Sequence, residues 1–240
     1  MKLMEFLNKE LVSKRDVNII FIGDSITSTE WVHPNWREIV EYVIKEELTK
    51  KIKDWKIPSW GIRCFNYGFD GSTTEDILRM IDRISHVKPT ITIYLENTNE
   101  IHYDFTPEQH KKNVEKLISA LTKKDGYFVL CNSICGNNEE YNKKLSKYSQ
   151  IVRKIKFDDK ILFVDTFKEY SKYDLKKFFT FKSLGNDALK MKPGSIDFVH
   201  PNSLGNAYIA KIILEEAFNI KFNPEKFIAG TLSGKMYPDY

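Results

Sequence analysis

The stretch VNIIFIGDS, residues 17–25, decides how the rest of the chain is interpreted. Its first six residues form a short apolar, β-branched run, which is typical of a strand that is buried on both faces. Turn residues follow, and Ser25 stands directly behind the strand. A strand covered on both faces implies a sheet with helices on both sides. We therefore expect an α/β fold that displays Ser25 at one edge of the sheet.

Similar short runs alternate with longer helical patterns along the chain. Further strands are predicted at 62–67, 90–95, 127–131 and 161–164. Helices are predicted at 36–52, 74–87, 107–123, 141–155 and 203–218, where apolar residues recur every three or four positions and Ser203 is the expected N-cap of the last helix. Leu3, Phe6, Leu7 and Leu11 also follow helical spacing and predict a short docking helix. This alternation predicts a three-layer α/β/α sandwich with a flavodoxin-like parallel sheet of about five strands.

Composition excludes several classes of protein. The 240 residues, of which 42% are hydrophobic and 29% charged, suit a single globular domain over 1–240, with 221–240 as a C-terminal extension. The net charge of +4 is too small to indicate a nucleic-acid partner. No stretch approaches the roughly 20 apolar residues of a membrane-spanning helix.

Cysteine usage and the amino terminus indicate the compartment. Cys64, Cys131 and Cys135 are too few and too irregular for a disulfide framework. Charged residues interrupt the place where a secretion signal would have its apolar run. We therefore expect a cytoplasmic protein. No second pair of ligands accompanies Cys131 and Cys135, and no phosphate-binding glycine motif is present, so neither a metal nor an organic cofactor is expected.

Four polar segments are expected to meet at one edge of the sheet. Ligands of open parallel sheets bind at the carboxyl ends of the strands. Three of the segments, 23–25, 68–74 and 97–100, directly follow strands, and the fourth contains Asp197 and His200 before the last helix. A site assembled from these segments is therefore predicted.

The residue types in these segments suit acyl transfer. A serine attacks a carbonyl only when a base takes its proton and a third group orients that base. His200 and Asp197 meet this need for Ser25, while Gly71 and Asn99 supply hydrogen-bond donors for a developing oxyanion. Ser25, taken by itself, also suits an ordinary turn or helix cap, as Gly71 and Asn99 suit turns.

Three blocks of sequence resemble the SGNH (GDSL) hydrolases. These blocks are GDSIT at 23–27, NYGFDGSTT at 66–74 and DFVHPN at 197–202. The remaining block, usually G-x-N-D, reads NTNE at 97–100, so that Asn97 replaces Gly and Glu100 replaces Asp. The resemblance covers nearly the whole chain except its C-terminal tail.

This resemblance implies a role for each site residue. Ser25 is the nucleophile, His200 the base and Asp197 the group that orients the base. The backbone N–H groups of Ser25 and Gly71, with the side chain of Asn99, form the oxyanion hole. Such an enzyme requires no cofactor. Its partner is a small-molecule ester.

Four further residues are candidate substrate contacts. They are Asp24, Trp31, His33 and His102, which stand next to the predicted nucleophile or soon after Asn99. The alternative for His33 and Trp31 is a loop packed over the sheet. The aromatic connection 168–196 is a further candidate for substrate binding, either as the lining of an apolar groove or as a surface that stacks on a sugar ring.

Two classes of function follow. The leading prediction is a serine esterase that releases a small acyl group, with acetyl on a carbohydrate as the expected case. A lysophospholipase, a thioesterase or an acyltransferase uses the same acyl-enzyme and is an alternative. A non-catalytic binding protein on a hydrolase fold is the alternative of another class, motivated by the altered block at 97–100.

Overall fold

A computed structural model shows a five-stranded sheet in which every strand is parallel to its neighbours; it describes residues 3–28, 30–96, 98–103, 105–122 and 126–240. The strands are β1 (Val17–Gly23), β2 (Ile62–Gly68), β3 (Ile91–Leu95), β4 (Tyr127–Cys131) and β5 (Ile161–Val164), in the order β2-β1-β3-β4-β5. This is the flavodoxin-like order, in which the direction of winding reverses beside β1. The predicted fold class is confirmed.

Side-chain alternation along the strands creates two hydrophobic layers. Ile19 and Phe21 point into the layer built with the helices near both chain ends, while Ile20 and Ile22 point into the opposite layer. Successive side chains of a strand face opposite sides of a sheet. Because both sides are apolar, helices cover both, which gives three layers.

Ten α-helices are described. They are α1 (Leu3–Val12), α2 (Trp36–Ile52), α3 (Lys56–Gly61), α4 (Thr74–Arg79), α5 (Ile81–His86), α6 (Pro107–Leu121), α7 (Glu139–Val152), α8 (Thr166–Tyr170), α9 (Ser203–Phe218) and α10 (Pro224–Leu232). The docking helix and α2 lie where the sequence predicts them. Helices α3, α8 and α10 were not predicted, because six, five and nine residues give little periodic signal.

Three of the predicted helices have different bounds in the structure. The helix expected over 74–87 is two helices, because Met80 leaves helical geometry at φ −99° and ψ 6°. Helix α7 begins two residues early, because the side chain of Asn138 accepts a hydrogen bond from the Tyr141 N–H and caps it, and it ends at Val152, three residues before the predicted end. Helix α6 ends at Leu121, and Lys123, the predicted end, lies outside the described residues.

Ser203 is not the N-cap of α9, contrary to the prediction. The cap is Asn202, whose side chain accepts a hydrogen bond from the Gly205 N–H. Asn and Ser are about equally good caps, so local preference does not decide between neighbours. The Ser203 hydroxyl instead donates to the His33 carbonyl at 2.9 Å, which ties α9 to the loop before α2.

The connection 168–196 and the tail 221–240 both pack onto the body. Tyr170, Phe178 and Phe179 are buried in the core beneath α9, so these three rings do not form a sugar-stacking surface. In the tail, Phe227 and Ile228 of α10 are buried against the same layer. No described helix is long and apolar enough to cross a membrane.

Candidate active site

Strand register brings the predicted segments to one edge of the sheet. Gly23 pairs with Gly68, and Ile22 pairs with Tyr94 near the end of β3. The turn after β1 passes very close to Gly68, since a Cβ on that residue would lie 2.4 Å from the Ser28 nitrogen. A glycine is therefore required there, and the Ser25 turn is held against β2.

Ser25, His200 and Asp197 form a continuous hydrogen-bonded chain. The Ser25 Oγ lies 3.0 Å from Nε2 of His200, and Nδ1 of His200 lies 2.7 Å from Oδ2 of Asp197. Ser25 is 8% exposed. These are the distances that a nucleophile, a base and an orienting carboxylate require. The fold thus joins residues separated by 175 positions in sequence.

The Asp197 carboxylate is fixed on both oxygens. Its Oδ1 accepts hydrogen bonds from the backbone N–H groups of Val199 and His200, at 2.8 and 3.0 Å. Burial raises the pKa of Asp197, but the hydrogen bond and charge of His200 and these backbone donors outweigh it and lower the pKa overall. Asp197 therefore stays ionised and holds the imidazole in one orientation.

The expected oxyanion donors occupy two adjacent loops. Gly71 has a φ of 70°, and no atom lies within 4 Å of a Cβ placed on it. Asn99 begins a short 3-10 helix, Asn99–His102, and its Nδ2 donates to the Ser72 carbonyl at 3.0 Å. The amide has a second hydrogen, which remains available for a ligand. Asn97, the unusual residue of this block, lies outside the described residues.

Asp24 joins the Ser25 turn to the loop after β3. Its Oδ2 accepts from the N–H and the hydroxyl of Thr98 at 2.7 and 2.9 Å, and its Oδ1 accepts from the Ile26 N–H at 3.0 Å. The side chain is 1% exposed. Burial raises the pKa of Asp24 despite these bonds. The structure therefore buries the Asp24 side chain next to Ser25, where it does not contact solvent.

Trp31 lies directly on the predicted base, whereas His33 lies apart from it. The Trp31 ring stacks on the His200 ring with centroids 4.2 Å apart and planes 7° apart. Its Nε1 donates to Oδ2 of Asp70 at 2.9 Å. His33 is exposed and its Nδ1 lies 3.3 Å from a Glu38 carboxylate oxygen. Only Trp31 of this pair contacts the Ser25–His200–Asp197 chain.

His102 lines a cavity beside the site. The cavity has a volume of about 350 Å³ and is bordered by Ile101 and His102 of the Asn99 loop and by Phe198, which follows Asp197. Charged groups complete its wall: Glu140, Lys144 and Lys190. Burial, with the nearby Lys144 charge, lowers the pKa of His102. The cavity wall therefore combines charged and apolar side chains.

Several site residues escaped the sequence analysis. Asp70 accepts from both Trp31 and the Ser28 hydroxyl, the latter at 2.6 Å, although nothing in the sequence links these residues. His110 is also a buried residue that the sequence analysis missed, although its position in the helical pattern could have indicated it. It lies on the apolar face of α6, four residues before Val114, where an unpartnered histidine is unfavourable.

The described cysteines and acidic residues form no metal-binding group. Cys64, Cys131 and Cys135 are free thiols, and the last two are buried. Burial raises the pKa of Cys131 above its usual range. Within the described ranges, no group of three or more His, Cys, Asp and Glu side chains is arranged to hold a metal ion.

Comparison with known proteins agrees with this geometry. Residues 21–208 match the GDSL-like lipase/acylhydrolase family. No curated protein sequence matches the chain.

Solved structures share the fold at low sequence identity. A lipase/acylhydrolase from Enterococcus faecalis has a TM-score of 0.63 and 16% identity, over 85% of this chain and 96% of that one. An acetylxylan esterase from Geobacillus stearothermophilus has a TM-score of 0.60 and 21% identity, over 88% and 96%. An α/β hydrolase from the metagenome of Lake Arreo, Spain, has a TM-score of 0.61 and 16% identity, over 85% and 95%.

Proposed function

The chain belongs to the GDSL-like lipase/acylhydrolase family and is an ester hydrolase, and from this premise we propose that it cleaves small acyl esters through an acyl-enzyme on Ser25. The observation that carries the proposal is the unbroken chain from the Ser25 hydroxyl through His200 to Asp197, at 3.0 and 2.7 Å. Such an arrangement activates a serine that is otherwise a weak nucleophile.

The proposed reaction has two halves. The Ser25 Oγ bonds to the acyl carbon while its proton passes to Nε2 of His200, and Asp197 stabilises the resulting imidazolium. The carbon–oxygen bond to the alcohol then breaks, and the alcohol leaves with the proton from His200. Water, deprotonated by the same nitrogen, attacks the acyl-enzyme and releases the acid and free Ser25.

Three donors are proposed to bind the oxyanion of both tetrahedral intermediates. They are the backbone N–H groups of Ser25 and Gly71 and the free amide hydrogen of Asn99. The hydrogen bond from Asn99 to Ser72 supports this role, because it fixes the amide before substrate arrives. Donors fixed in advance contribute more than donors that must reorganise.

A small acyl group on a polar alcohol fits the surroundings of Ser25 best. The neighbouring cavity carries Glu140, Lys144 and Lys190 among apolar side chains, and burying these charges against a long hydrocarbon chain is unfavourable. A polar, hydroxyl-rich alcohol such as a sugar suits them. The acetylxylan esterase of the same fold makes acetylated oligosaccharides the first substrates to test. Trp31, half exposed above His200, is the proposed wall for the substrate ring.

Intact-mass spectrometry with a small fluorophosphonate tests the nucleophile. Wild type is expected to gain one adduct, and Ser25→Ala none, with an unchanged melting temperature. Ser146→Ala is the matched control, because the Ser146 hydroxyl lies on α7 and donates to the Lys143 carbonyl of the same helix. An adduct on Ser25→Ala would refute the assignment. No adduct on folded wild type would favour the non-catalytic binding protein.

Hydrolysis of p-nitrophenyl acetate, with and without an added alcohol, separates the remaining alternatives. Release of acetate in the presence of a sugar alcohol supports the esterase. Accumulation of the acetylated alcohol instead would identify an acyltransferase. Hydrolysis that improves steadily as the acyl chain lengthens would identify a lysophospholipase or thioesterase and would contradict the small-acyl proposal.

The cytoplasm is the proposed compartment. Cys64, Cys131 and Cys135 are all free thiols, a state that a reducing compartment maintains.

A further inference from the structure

Three ionisable side chains are buried together behind the predicted oxyanion hole. Glu96 follows β3, Glu100 lies in the 3-10 helix that begins with Asn99, and His110 lies on α6. Glu96 and Glu100 are 1% exposed and His110 is 0% exposed. Buried ionisable groups are costly unless they are paired, so their retention requires an explanation.

The histidine bridges the two carboxylates. Its Nε2 is hydrogen-bonded to Oε1 of Glu96, and its Nδ1 lies 3.2 Å from Oε1 of Glu100, at ion-pair distance but without the geometry of a hydrogen bond. Two carboxylates that face the ring in this way favour the doubly protonated imidazolium, because its positive charge is then close to both negative charges. The other Glu96 oxygen accepts from the Ser133 N–H at 2.9 Å, which anchors the cluster to the end of β4.

Glu100 connects this cluster to both oxyanion loops. Its Oε1 accepts from the Thr74 N–H at 2.6 Å, at the start of α4 and three residues beyond Gly71. It is also the neighbour of Asn99, whose amide donates to Ser72 in that same second loop. The Glu100 carboxylate, which stands where the related block usually has Asp, therefore contacts Thr74 and His110 together.

The neighbouring charges favour the doubly protonated form of His110. Burial alone lowers the pKa of His110, but the charges of Glu96 and Glu100 outweigh it and raise the pKa to about 10. The Tyr148 ring from α7 packs edge-on against the imidazole at 5.5 Å. Its hydroxyl donates to the Phe105 carbonyl at 2.7 Å rather than to the cluster. The ionised groups that face the ring are thus the carboxylates of Glu96, directly after β3, and Glu100, in the 3-10 helix.

We propose that His110 is a positioning residue, which holds Glu100 and through it keeps the oxyanion donor Asn99 in place. This inference deepens the proposed function and rests on it. His110 touches neither substrate nor the reacting atoms, so it acts on the rate of acyl transfer only through the Asn99 loop.

A double-mutant cycle between His110 and Asn99 tests the proposal. With p-nitrophenyl acetate, His110→Gln is expected to lower kcat at least about tenfold while KM stays within about twofold, because a donor misplaced by 1 Å costs up to about 100-fold. In an Asn99→Ala background the same change should lower kcat by less than about twofold. Losses that multiply in the double variant would overturn the proposal.

Two further variants separate positioning from general damage to the fold. Val114→Ala removes a buried side chain one turn along α6; it should lower the melting temperature and leave kcat unchanged. Glu100→Gln keeps an acceptor for Thr74 but removes the charge that faces His110. Glu100→Gln should show the same loss of kcat as His110→Gln, and it replaces that variant in the test if His110→Gln does not fold. A kcat loss in Val114→Ala equal to that in His110→Gln would contradict positioning.

Nitrogen-15 NMR tests the proposal without depending on enzyme turnover. The His110 ring is expected to carry protons on both nitrogens at neutral pH, and the Asn99 side-chain amide signals should shift in His110→Gln but not in Val114→Ala. A singly protonated ring, or unmoved Asn99 signals, would overturn the positioning claim even in an active enzyme. If both NMR results are as expected but the wild-type protein neither reacts with the fluorophosphonate nor hydrolyses p-nitrophenyl acetate, the proposed function is refuted instead.

Discussion

At the scale of single residues, Asn99 offers the most direct test of the proposed oxyanion hole. Its amide is fixed by one hydrogen bond to Ser72, which leaves its second hydrogen for the ligand. Asn99→Ala is expected to lower kcat about 100- to 1000-fold, with little change in KM, because the contact strengthens in the transition state. Steady-state kinetics checks this. A change confined to KM would make Asn99 a substrate-binding residue instead.

Trp31 is the second residue whose effect follows from its geometry. Its ring covers one face of the His200 imidazole, and its indole N–H is held by Asp70. An aromatic stack contributes about 0.5–1.5 kcal/mol, so Trp31→Ala should lower kcat/KM roughly two- to tenfold. Trp31→Phe keeps the aromatic stack and loses only the hydrogen bond to Asp70, so its kcat/KM should lie between those of wild type and Trp31→Ala. Trp60→Ala, an exposed Trp in α3, is the control and should have no effect.

At the scale of elements, α2 and the nucleophile turn are held by one buried side chain. Asn35 caps α2, since its Oδ1 accepts from the Arg37 N–H at 3.1 Å. Its Nδ2 donates to the carbonyls of Ile26 and Ser28, at 3.1 and 2.9 Å. The turn that presents Ser25 therefore has its shape set by the start of the next helix.

Asn35→Ala is expected to damage stability and activity together. Loss of the cap costs about 1 kcal/mol, and each carbonyl left buried without a donor adds about 1–3 kcal/mol. Urea unfolding should show a loss of at least about 2 kcal/mol, with a lower kcat. Asn223→Ala removes the comparable cap of α10, far from the turn, and should cost about 1 kcal/mol with kcat unchanged. Equal effects of the two variants on kcat would contradict the link.

At the scale of the whole molecule, the buried imidazolium makes stability depend on pH. The pKa of His110 is 6.5 as a free side chain and about 10 in the folded protein. A group whose pKa is raised on folding stabilises fully below its unfolded pKa, and this contribution is lost as pH rises through the folded value. His110 therefore stabilises the fold most at and below pH 6.5.

Urea unfolding of wild type and His110→Gln between pH 6.5 and 10 measures this contribution. The difference in free energy of unfolding between the two proteins should be largest near pH 6.5 and shrink steadily toward pH 10. A difference that stays constant over this range would show that the histidine is neutral in the folded protein.

The sequence alone determined the fold class and predicted which residues meet at one edge of the sheet. Apolar runs such as 17–22, buried on both faces, require a covered parallel sheet, and the carboxyl ends of parallel strands lie at one edge. Ser25, Gly71 and Asn99 were therefore predicted to meet at that edge. Local pattern sufficed because strand burial and turn chemistry are encoded within a few residues.

Only the tertiary structure decided which side chains support those residues. Asp24, a predicted substrate contact, has its carboxylate occupied by Thr98 and Ile26. The partners of Trp31 and His110 are Asp70 and Glu100, which lie on other elements. Such pairings depend on the register of strands and the seating of helices, to which residues distant in sequence contribute. No local pattern records them, because burial and hydrogen bonding between distant segments are properties of the assembled fold.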